Sequence, residues 1–489
     1  MRPLVIARIT RAILIAFAAL CAVYLFAGCS DNSRRIAQPL TGITEWTLLV
    51  KVDPKRQAEA IPGILDMTRS FAMASGSSNP PRLLERPELE KLGYLVFTTG
   101  DLYPDGVVSA IEAAPFVRTV IPDRRIRLTP PIGDMLAVPD PGINAQWAHA
   151  KLGSQAAWAR GVTGKGVVVA VVDTGVQCSH PDLSGACVAA GRDFTGENSL
   201  SDPNGHGTHV AGTVAARNGN GIGGAGIAPD AGILSVRVLD AEGSGFDSWI
   251  ASGIVYAVDR GAKIVNLSLG GDELGTVMRD AVQYGTQRGV IFTCAAGNSG
   301  SNVATYPNAY PECIGIAATK KDGEVGTTWT NWGVNADLGA PGESIMSTCV
   351  TSRYCNMSGT SMAAPVAAGV VALALSGGVG WADVLGLINR TGVLLTGRLS
   401  GLRRPNLTAL SSFLVLPSSS TSTATSTPLP ATATSTRRPT ATSTSSPTTT
   451  RVKTATPTRR PTPSPHPTRT RRPRWPWWQA FPLLIVKRR

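Results

Sequence analysis

Residues 167–173 read VVVAVVD, an unbroken apolar run that ends in the carboxylate of Asp173. The run is too short for a stable helix, and its composition is typical of a strand buried on both faces of a parallel sheet. Gly- and Ala-rich helical stretches separate it from similar runs at residues 233–238, 263–267, 290–295 and 314–317. This alternation predicts a doubly wound α/β domain with a mainly parallel sheet and helices on both faces.

The charge of the chain is unevenly distributed. Of 46 basic residues, 3 lie in residues 1–29 and 13 in residues 417–489, and neither segment contains an acidic residue. The middle of the chain therefore holds 30 basic against 33 acidic residues, although the net charge of the whole is +13. The globular part is nearly neutral, so the composition gives no support for specific nucleic-acid binding.

The N-terminal segment 1–29 has the features of an export signal. Three arginines precede a mostly apolar run over residues 12–27 that ends in small residues. The run is short for a membrane-spanning helix. Its end, Phe26-Ala27-Gly28-Cys29, resembles a bacterial lipobox, with Phe where Leu is usual. Lipidation of Cys29 and ordinary cleavage with release both remain open, and either predicts an extracellular or cell-surface protein.

Two low-complexity segments form the C-terminus. Residues 417–474 consist mainly of Ser, Thr, Pro and Arg, and they are predicted to form a disordered stalk because they cannot bury enough apolar surface. Residues 475–489 are aromatic, apolar and basic, too short and proline-broken to span a bilayer. They are interpreted as an interfacial or cell-surface anchoring tag, with a plain apolar end as the alternative.

Three motifs carry the residue types of a hydrolytic triad. Asp173 follows a buried strand, at the sheet edge where active sites form. NGHGTHVAG at residues 204–212 places His206 where a loop enters a helix, and GTSMAAP at 359–365 places Ser361 before an apolar helix with Pro365 in its first turn. Serine needs a neighbouring imidazole to accept its proton, and a buried carboxylate orients that imidazole. We therefore interpret Asp173, His206 and Ser361 as catalytic.

In the order Asp, His, Ser, these motifs resemble the subtilisin-like serine protease family. The resemblance covers residues 140–412, and VLDAEGSG at 238–245 is similar to the proteinase K and thermitase branches. It implies a serine endopeptidase that cleaves protein and peptide substrates through an acyl-enzyme. It also implies that residues 40–128 are a small α+β inhibitor-type propeptide, acting as an intramolecular inhibitor and removed by a cut within residues 126–142.

The resemblance extends to the substrate site. AAGNSG at 295–300 resembles the family's oxyanion-hole segment, which implies that Asn298 and the Ser361 backbone N–H stabilise the tetrahedral intermediate. Small residues would flank an extended peptide or line a roomy first pocket, which predicts broad preference for apolar or aromatic residues before the cut. These substrate-binding residues are Gly243, Ser244, Gly245, Ser268, Leu269, Gly270, Ala295 and Gly297.

Calcium is the stabilising ion that the resemblance implies. Asp182 and the loop NGNGIGG at 218–224 supply the oxygen ligands that Ca²⁺ prefers, and the alternative is an ordinary surface loop. His209 lies three residues after His206 but has no evident partner ligands, so a structural role is favoured over metal binding. The implied calcium ligands are Asp140, Asp182, Asn218, Asn220, Ile222 and Gly224.

Eight cysteines fit an oxidising destination. Two short loops could each be closed by a local disulfide, one between Cys178 and Cys187 and one between Cys349 and Cys355. Cys294 and Cys313 lie in apolar runs, where buried free thiols are an alternative to pairing.

The motifs argue against two alternatives to a protease. A catalytically silent fold serving as a binding module would normally lack a triad member, and none is missing here. An esterase of the α/β-hydrolase type predicts a Gly-x-Ser-x-Gly motif and the order Ser, Asp, His, which this chain lacks.

Overall fold

A computed structural model describes residues 46–74, 79, 81–100, 104–128, 137–138, 142–188 and 191–415. The export segment 1–29, the stalk 417–474 and the tag 475–489 lie outside these residues, so the predictions for them stay predictions. Within the described part, no helix has both the length and the apolar character needed to cross a membrane.

The N-terminal subdomain, residues 46–128, is built on a four-stranded antiparallel sheet with its two longer helices on one face. Alternate strand residues face opposite sides, as a pleated sheet requires. Leu48 and Val50 pack with the helices, whereas Leu49 and Val96 pack against the main subdomain. The elements are β1 (Thr47–Val52), α1 (Gln57–Ala74), β2 (Arg82–Leu84), α2 (Pro87–Glu90), β3 (Tyr94–Thr98), α3 (Pro104–Glu112), β4 (Val117–Pro122) and β5 (Arg125–Arg127). The sheet order is β2-β3-β1-β4.

The main subdomain, residues 142–415, is built on a nine-stranded sheet. The nine strands are β7 (Val168–Asp173), β8 (Arg192–Asp193), β9 (Gly232–Arg237), β11 (Ile264–Leu267), β12 (Ile291–Ala295), β13 (Cys313–Thr319), β14 (Leu338–Pro341), β17 (Val393–Leu394) and β18 (Arg403–Arg404), in the spatial order β17-β18-β14-β13-β12-β11-β7-β9-β8. All neighbouring pairs are parallel except β17 with β18. The five predicted strand runs coincide with β7, β9, β11, β12 and β13.

Helices cover both faces of this sheet. Val169 and Val171 of β7 belong to one buried cluster, and Ala170 and Val172 belong to the other. The doubly wound α/β prediction is therefore confirmed. The helices are α4 (Trp147–Leu152), α5 (Ser154–Trp158), α6 (His206–Ala215), α7 (Asp247–Asp259), α8 (Thr276–Thr286), α9 (Thr360–Ser376), α10 (Val384–Thr391) and α11 (Leu407–Ser411).

Two smaller sheets complete the described fold. The strands β6 (Ala137–Val138), β15 (Ile345–Cys349) and β16 (Arg353–Met357) form one, in the order β15-β16-β6. In the other, β10 (Ser244–Phe246) of the main subdomain pairs with β5 of the N-terminal subdomain. The two subdomains thus share a β ladder as well as an apolar contact.

Candidate active site

Asp173 and His206 meet at the carboxyl edge of the parallel sheet. Asp173 is the last residue of β7, and His206 is the first residue of α6. His206 Nδ1 donates to Asp173 Oδ1 over 2.8 Å, and both side chains are at most 1% exposed. Gly207 permits this approach, because a Cβ there would lie 2.1 Å from the Gly175 carbonyl oxygen.

Asp202, which the sequence analysis did not single out, fixes the start of α6. Its Oδ2 accepts hydrogen bonds from Thr208 N at 2.8 Å and Thr208 Oγ1 at 2.6 Å. Its Oδ1 accepts from Gly205 N at 2.7 Å and from Thr174 Oγ1 at 2.8 Å. Asp202 lies three residues before Gly205, the N-cap of α6, and therefore outside the position at which a capping side chain is expected from sequence.

The charges around His206 favour its protonated form. Burial alone would lower the pKa of His206, but the charge of Asp173, the hydrogen bond to it and the charge of Asp202 together raise the pKa. Because Nδ1 donates to a carboxylate, Nε2 of the neutral ring is an acceptor. Nε2 is buried and has no hydrogen-bond partner among the described residues.

Ser361 is the second residue of α9 and is buried. Its hydroxyl donates to the Ser268 carbonyl at 3.1 Å, while the Ser268 hydroxyl donates to the Ser361 carbonyl at 2.8 Å. The prediction that Pro365 lies in the first turn is wrong, since α9 begins at Thr360. Pro365 has no N–H to offer the Ser361 carbonyl four residues earlier, which leaves that carbonyl free for Ser268.

Thr360 orients the amide of Asn298. Asn298 Oδ1 accepts from Thr360 N at 2.9 Å and from Thr360 Oγ1 at 2.8 Å. Since a backbone N–H can only donate, the oxygen must face Thr360, and Asn298 Nδ2 is left as the outward donor. Thr360 Oγ1 also accepts from Gly297 N at 3.0 Å, so one hydroxyl connects the Asn298 loop to the start of α9.

The Gly297 loop is held from behind by Asn331. Asn331 Oδ1 accepts from Ser299 N and Ser301 N, each at 3.0 Å. Gly297 has φ +100°, and a Cβ there would lie 2.4 Å from Asn331 Nδ2, so this position requires glycine. Ala295 ends the neighbouring strand β12, which places it beside this loop.

One of the two expected substrate edges is occupied by the chain itself. Ser244 and Gly245 pair with Arg127 and Ile126 in an antiparallel ladder, and the Gly243 carbonyl accepts from Leu128 N at 2.7 Å. On the other edge, Ser268 and Leu269 are buried, and Gly270 follows them.

The family model described as "Subtilase family" matches residues 164–392. Thermitase from Thermoactinomyces vulgaris is 42% identical over 253 residues, which are 52% of this chain and 90% of thermitase. Subtilisin Savinase from Lederbergia lenta is 42% identical over 49% of this chain and 87% of its own length. The major intracellular serine protease of Bacillus subtilis (strain 168) is 44% identical over 44% of this chain and 70% of its own length.

This chain belongs to the subtilase family. The matched region contains Asp173, His206, Asn298 and Ser361, and the subtilase is a subtilisin-like serine endopeptidase. The two alternatives to a protease, a silent binding module and an esterase, give way to this assignment.

The loop of this subtilase implied to bind calcium surrounds a buried carboxylate. Asn220 Nδ2 donates to Asp182 Oδ1 at 2.8 Å, and Gly224 N donates to Asp182 Oδ2 at 3.2 Å. Burial raises the pKa of Asp182 despite these neutral donors. Asn218 and Ile222 lie in the same loop, whereas Asp140 falls outside the described residues. No cluster of three His, Cys, Asp or Glu residues fit for a metal occurs in the described ranges.

His209 has a different environment from His206. Its Nε2 donates to the Ile345 carbonyl at 2.9 Å, and burial lowers its pKa to about 3. The ring is therefore neutral and engaged with the backbone, in agreement with the favoured structural role.

Within the described ranges of the subtilase, four cysteines form the local disulfides Cys178–Cys187 and Cys349–Cys355. Cys294 and Cys313 are buried free thiols. Burial raises the pKa of Cys313, and a hydrogen bond with Cys294 raises it further. Cys313 therefore stays an unreactive thiol.

Proposed function

We propose that this subtilase is a secreted endopeptidase of broad specificity whose nucleophile is Ser361, general base His206 and orienting carboxylate Asp173. The observation that carries the proposal is the 2.8 Å contact from His206 Nδ1 to Asp173, which leaves Nε2 as the acceptor. In the proposed reaction Ser361 Oγ turns from the Ser268 carbonyl to Nε2, gives up its proton and attacks the scissile carbonyl. His206 then protonates the leaving amine, and water hydrolyses the acyl-enzyme.

Asn298 is proposed to stabilise the oxyanion together with the Ser361 backbone N–H. The support is the orientation of its amide, because Thr360 engages Oδ1 and leaves Nδ2 to donate. Such donors act most strongly when they are fixed before charge develops. Ala295 and Gly297 would line the first pocket, and their small size supports a broad apolar preference before the cut.

The N-terminal subdomain is proposed to be an intramolecular inhibitor that maturation removes. Its strand β5 already pairs with β10, one of the two proposed substrate edges, so a peptide and β5 cannot both occupy that edge. Export through residues 1–29, and anchoring through Cys29 or residues 475–489, are proposals that rest on the sequence. Mass spectrometry of both ends of the mature protein reports all of these processing steps.

Calcium is proposed as a structural ion at the Asp182 loop. The donor set fits, because a buried carboxylate, the Asn220 side chain and loop carbonyls of Asn218, Ile222 and Gly224 offer hard oxygen ligands. The ion would supply stability rather than chemistry.

A serine-directed fluorophosphonate tests the proposed function. We expect the active enzyme to label at Ser361, and the His206→Ala variant to lose labelling together with about 10⁴ to 10⁶ in kcat. Ser412→Ala, at an exposed serine, is the matched control and should label like the parent. An unlabelled parent, or a His206→Ala variant that labels at the parent's rate, would contradict the triad.

A further inference from the structure

Five consecutive residues of the N-terminal subdomain lie along one edge of the proposed cleft. The β5–β10 pairing places Arg127, Ile126 and Arg125 opposite Ser244, Gly245 and Phe246. Backbone hydrogen bonds continue the ladder in both directions, from Leu128 N to the Gly243 carbonyl at 2.7 Å and from Asp247 N to the Arg124 carbonyl at 2.9 Å. The segment 124–128 is therefore bound as an added strand, the mode in which an extended peptide is recognised.

The side chain of Ile126 is held by apolar groups. It is buried and belongs to the same cluster as Leu239 and Leu269 of the main subdomain. The position opposite Gly245 thus accepts an aliphatic side chain, which fixes the register of the bound strand.

Two residues earlier, Arg124 meets two acids. Its Nε donates to Asp247 Oδ2 at 2.8 Å, and its Nη1 donates to Glu273 Oε2 at 3.0 Å. Asp247 is only 2% exposed, and its Oδ1 is buried without a hydrogen-bond partner among the described residues. Glu273 is 78% exposed and lies at the rim. Asp247 Oδ1 therefore still has free acceptor capacity with Arg124 in place.

Asp247 is also the first residue of α7, and its own backbone N–H belongs to the ladder. The Asp247 carboxylate therefore lies beside the bound segment 124–128, and α7 fixes its position rather than a flexible loop. When the segment 124–128 leaves, the cation opposite Asp247 and Glu273 leaves with it, and a substrate strand in the same register would bring a new side chain to that place.

We propose that Asp247 and Glu273 form an acidic subsite that selects substrates with a basic side chain two residues before the residue that pairs with Gly245. The inference rests on the proposed function, since it takes the β10 edge as the place where substrate binds. The expected signature is Arg or Lys, any residue, then an aliphatic residue, upstream of the scissile bond. Arginine fits best, because its planar fork can reach both carboxylates at once.

Cleavage of a random peptide library by the active enzyme, recovered after expression of the full chain, tests the subsite. Sequencing the products shows the preferred residue at every position, so no register has to be assumed. We expect Arg and Lys to be enriched about tenfold over Gln at one position, with aliphatic enrichment two positions later. The basic enrichment should shrink at high salt, because the Glu273 side of the subsite is exposed.

Two variants separate the subsite from general damage. Glu273→Gln, at an exposed position, should reduce the basic enrichment severalfold, and Asp247→Asn should abolish it, while both keep the aliphatic preference. Glu242→Gln, an exposed acid next to the same edge, is the matched control and should cleave like the parent.

Each result decides the matter. A parent enzyme that cleaves the library without basic enrichment upstream would overturn the subsite and leave the proposed function intact. Enrichment that persists in both variants would show that other groups are responsible, which also overturns it. A parent that cleaves nothing would overturn the proposed function and the subsite with it.

Discussion

Asp202 and Asp123 bind the first turn of a helix in nearly the same way, but from different subdomains. Asp202 accepts from Thr208 N at 2.8 Å and Thr208 Oγ1 at 2.6 Å at the start of α6. Asp123 accepts from Ser248 N at 2.9 Å and Ser248 Oγ at 2.6 Å at the start of α7. Asp202 belongs to the same subdomain as its helix, whereas Asp123 reaches across from the N-terminal subdomain.

The difference separates polar contacts within the main subdomain from those that would be lost if the N-terminal subdomain left. Asp202 takes two further hydrogen bonds, from Gly205 and Thr174, and precedes His206 by four residues. Asp123 is accompanied by ion pairs that also cross between subdomains, such as Lys51 with Asp280 and Lys91 with Asp259. The catalytic edge is therefore preorganised within one subdomain, whereas the polar side chains that cross to the N-terminal subdomain are groups that water can solvate again after separation.

The largest effect is expected for Asp202→Ala, which tests whether contacts within the main subdomain hold the start of α6 and His206 in place. Three donors at the start of α6 and the Thr174 hydroxyl would lose their acceptor, so the free energy of unfolding should fall by about 2–3 kcal/mol. Misplacement of His206 should lower kcat/KM roughly 10- to 100-fold. Loss of the Asp202 charge should also lower the pKa of His206 and move the acid limb of the pH–rate profile to lower pH.

Asp193→Ala is the control for Asp202→Ala. Asp193 accepts from Thr195 N at 2.8 Å and Thr195 Oγ1 at 2.7 Å, the same local pattern away from α6. Its removal should leave the pH–rate profile unchanged. If the two variants had equal effects on that profile, Asp202 would have no special connection to His206.

The sequence predicted the parallel strands and the four catalytic motifs but missed Asp202. Apolar runs such as residues 167–172 predict a buried strand by composition alone, and β7 lies within one residue of that run. Asp202-Pro203-Asn204-Gly205 has the composition of a turn, and its role depends on Thr174, which is 28 residues away. Local composition cannot report such a contact.

The errors and omissions have the same physical origin. The sequence predicts Pro365 in the first helical turn, because its missing N–H is not needed there. The structure compensates with the Ser268 hydroxyl, 93 residues distant. The Arg124–Asp247 pair joins residues 123 positions apart, so charge patterning along the sequence gave no sign of it.

An effect of intermediate size is expected on the docking of the N-terminal subdomain against the main subdomain, which should depend on pH through Asp123. Burial raises the pKa of Asp123 from 3.8 to about 7 in the docked state, against the hydrogen bonds from Ser248, with Asp247 also raising it and Arg86 lowering it. Below pH 3.8 the carboxyl is protonated whether docked or free, and this group costs docking nothing. Between pH 3.8 and 7 the free carboxyl is ionised while the docked one stays protonated, so docking takes up a proton and weakens as pH rises, by up to about tenfold per pH unit, and it levels off above pH 7.

Hydrogen exchange in the full-length Ser361→Ala chain measures this docking without self-cleavage. The protection of β4 and β5 amides should fall between pH 5 and pH 8 relative to an Asp123→Asn, Ser361→Ala chain examined at each pH. The ratio of the two removes the intrinsic pH dependence of exchange. A ratio that stays constant with pH would contradict the prediction, because Asp123 would then hold the start of α7 equally well at every pH.

The smallest effect is expected at Asp182, a third buried carboxylate. Like Asp202 it takes neutral donors from its own subdomain, Asn220, Gly224 and Tyr354, and burial raises its pKa against them. A bound calcium would supply the missing charge, so a chelator should lower Tm by about 2–4 °C, roughly 1 kcal/mol for a domain of this size. In Asp182→Asn the chelator should have no further effect, whereas Asp230→Asn, at an exposed acid, should respond like the parent. If the parent melted at the same temperature with and without chelator, Asp182 would be a carboxylate stabilised by neutral donors alone, and local donors would suffice for a buried acid in this subdomain.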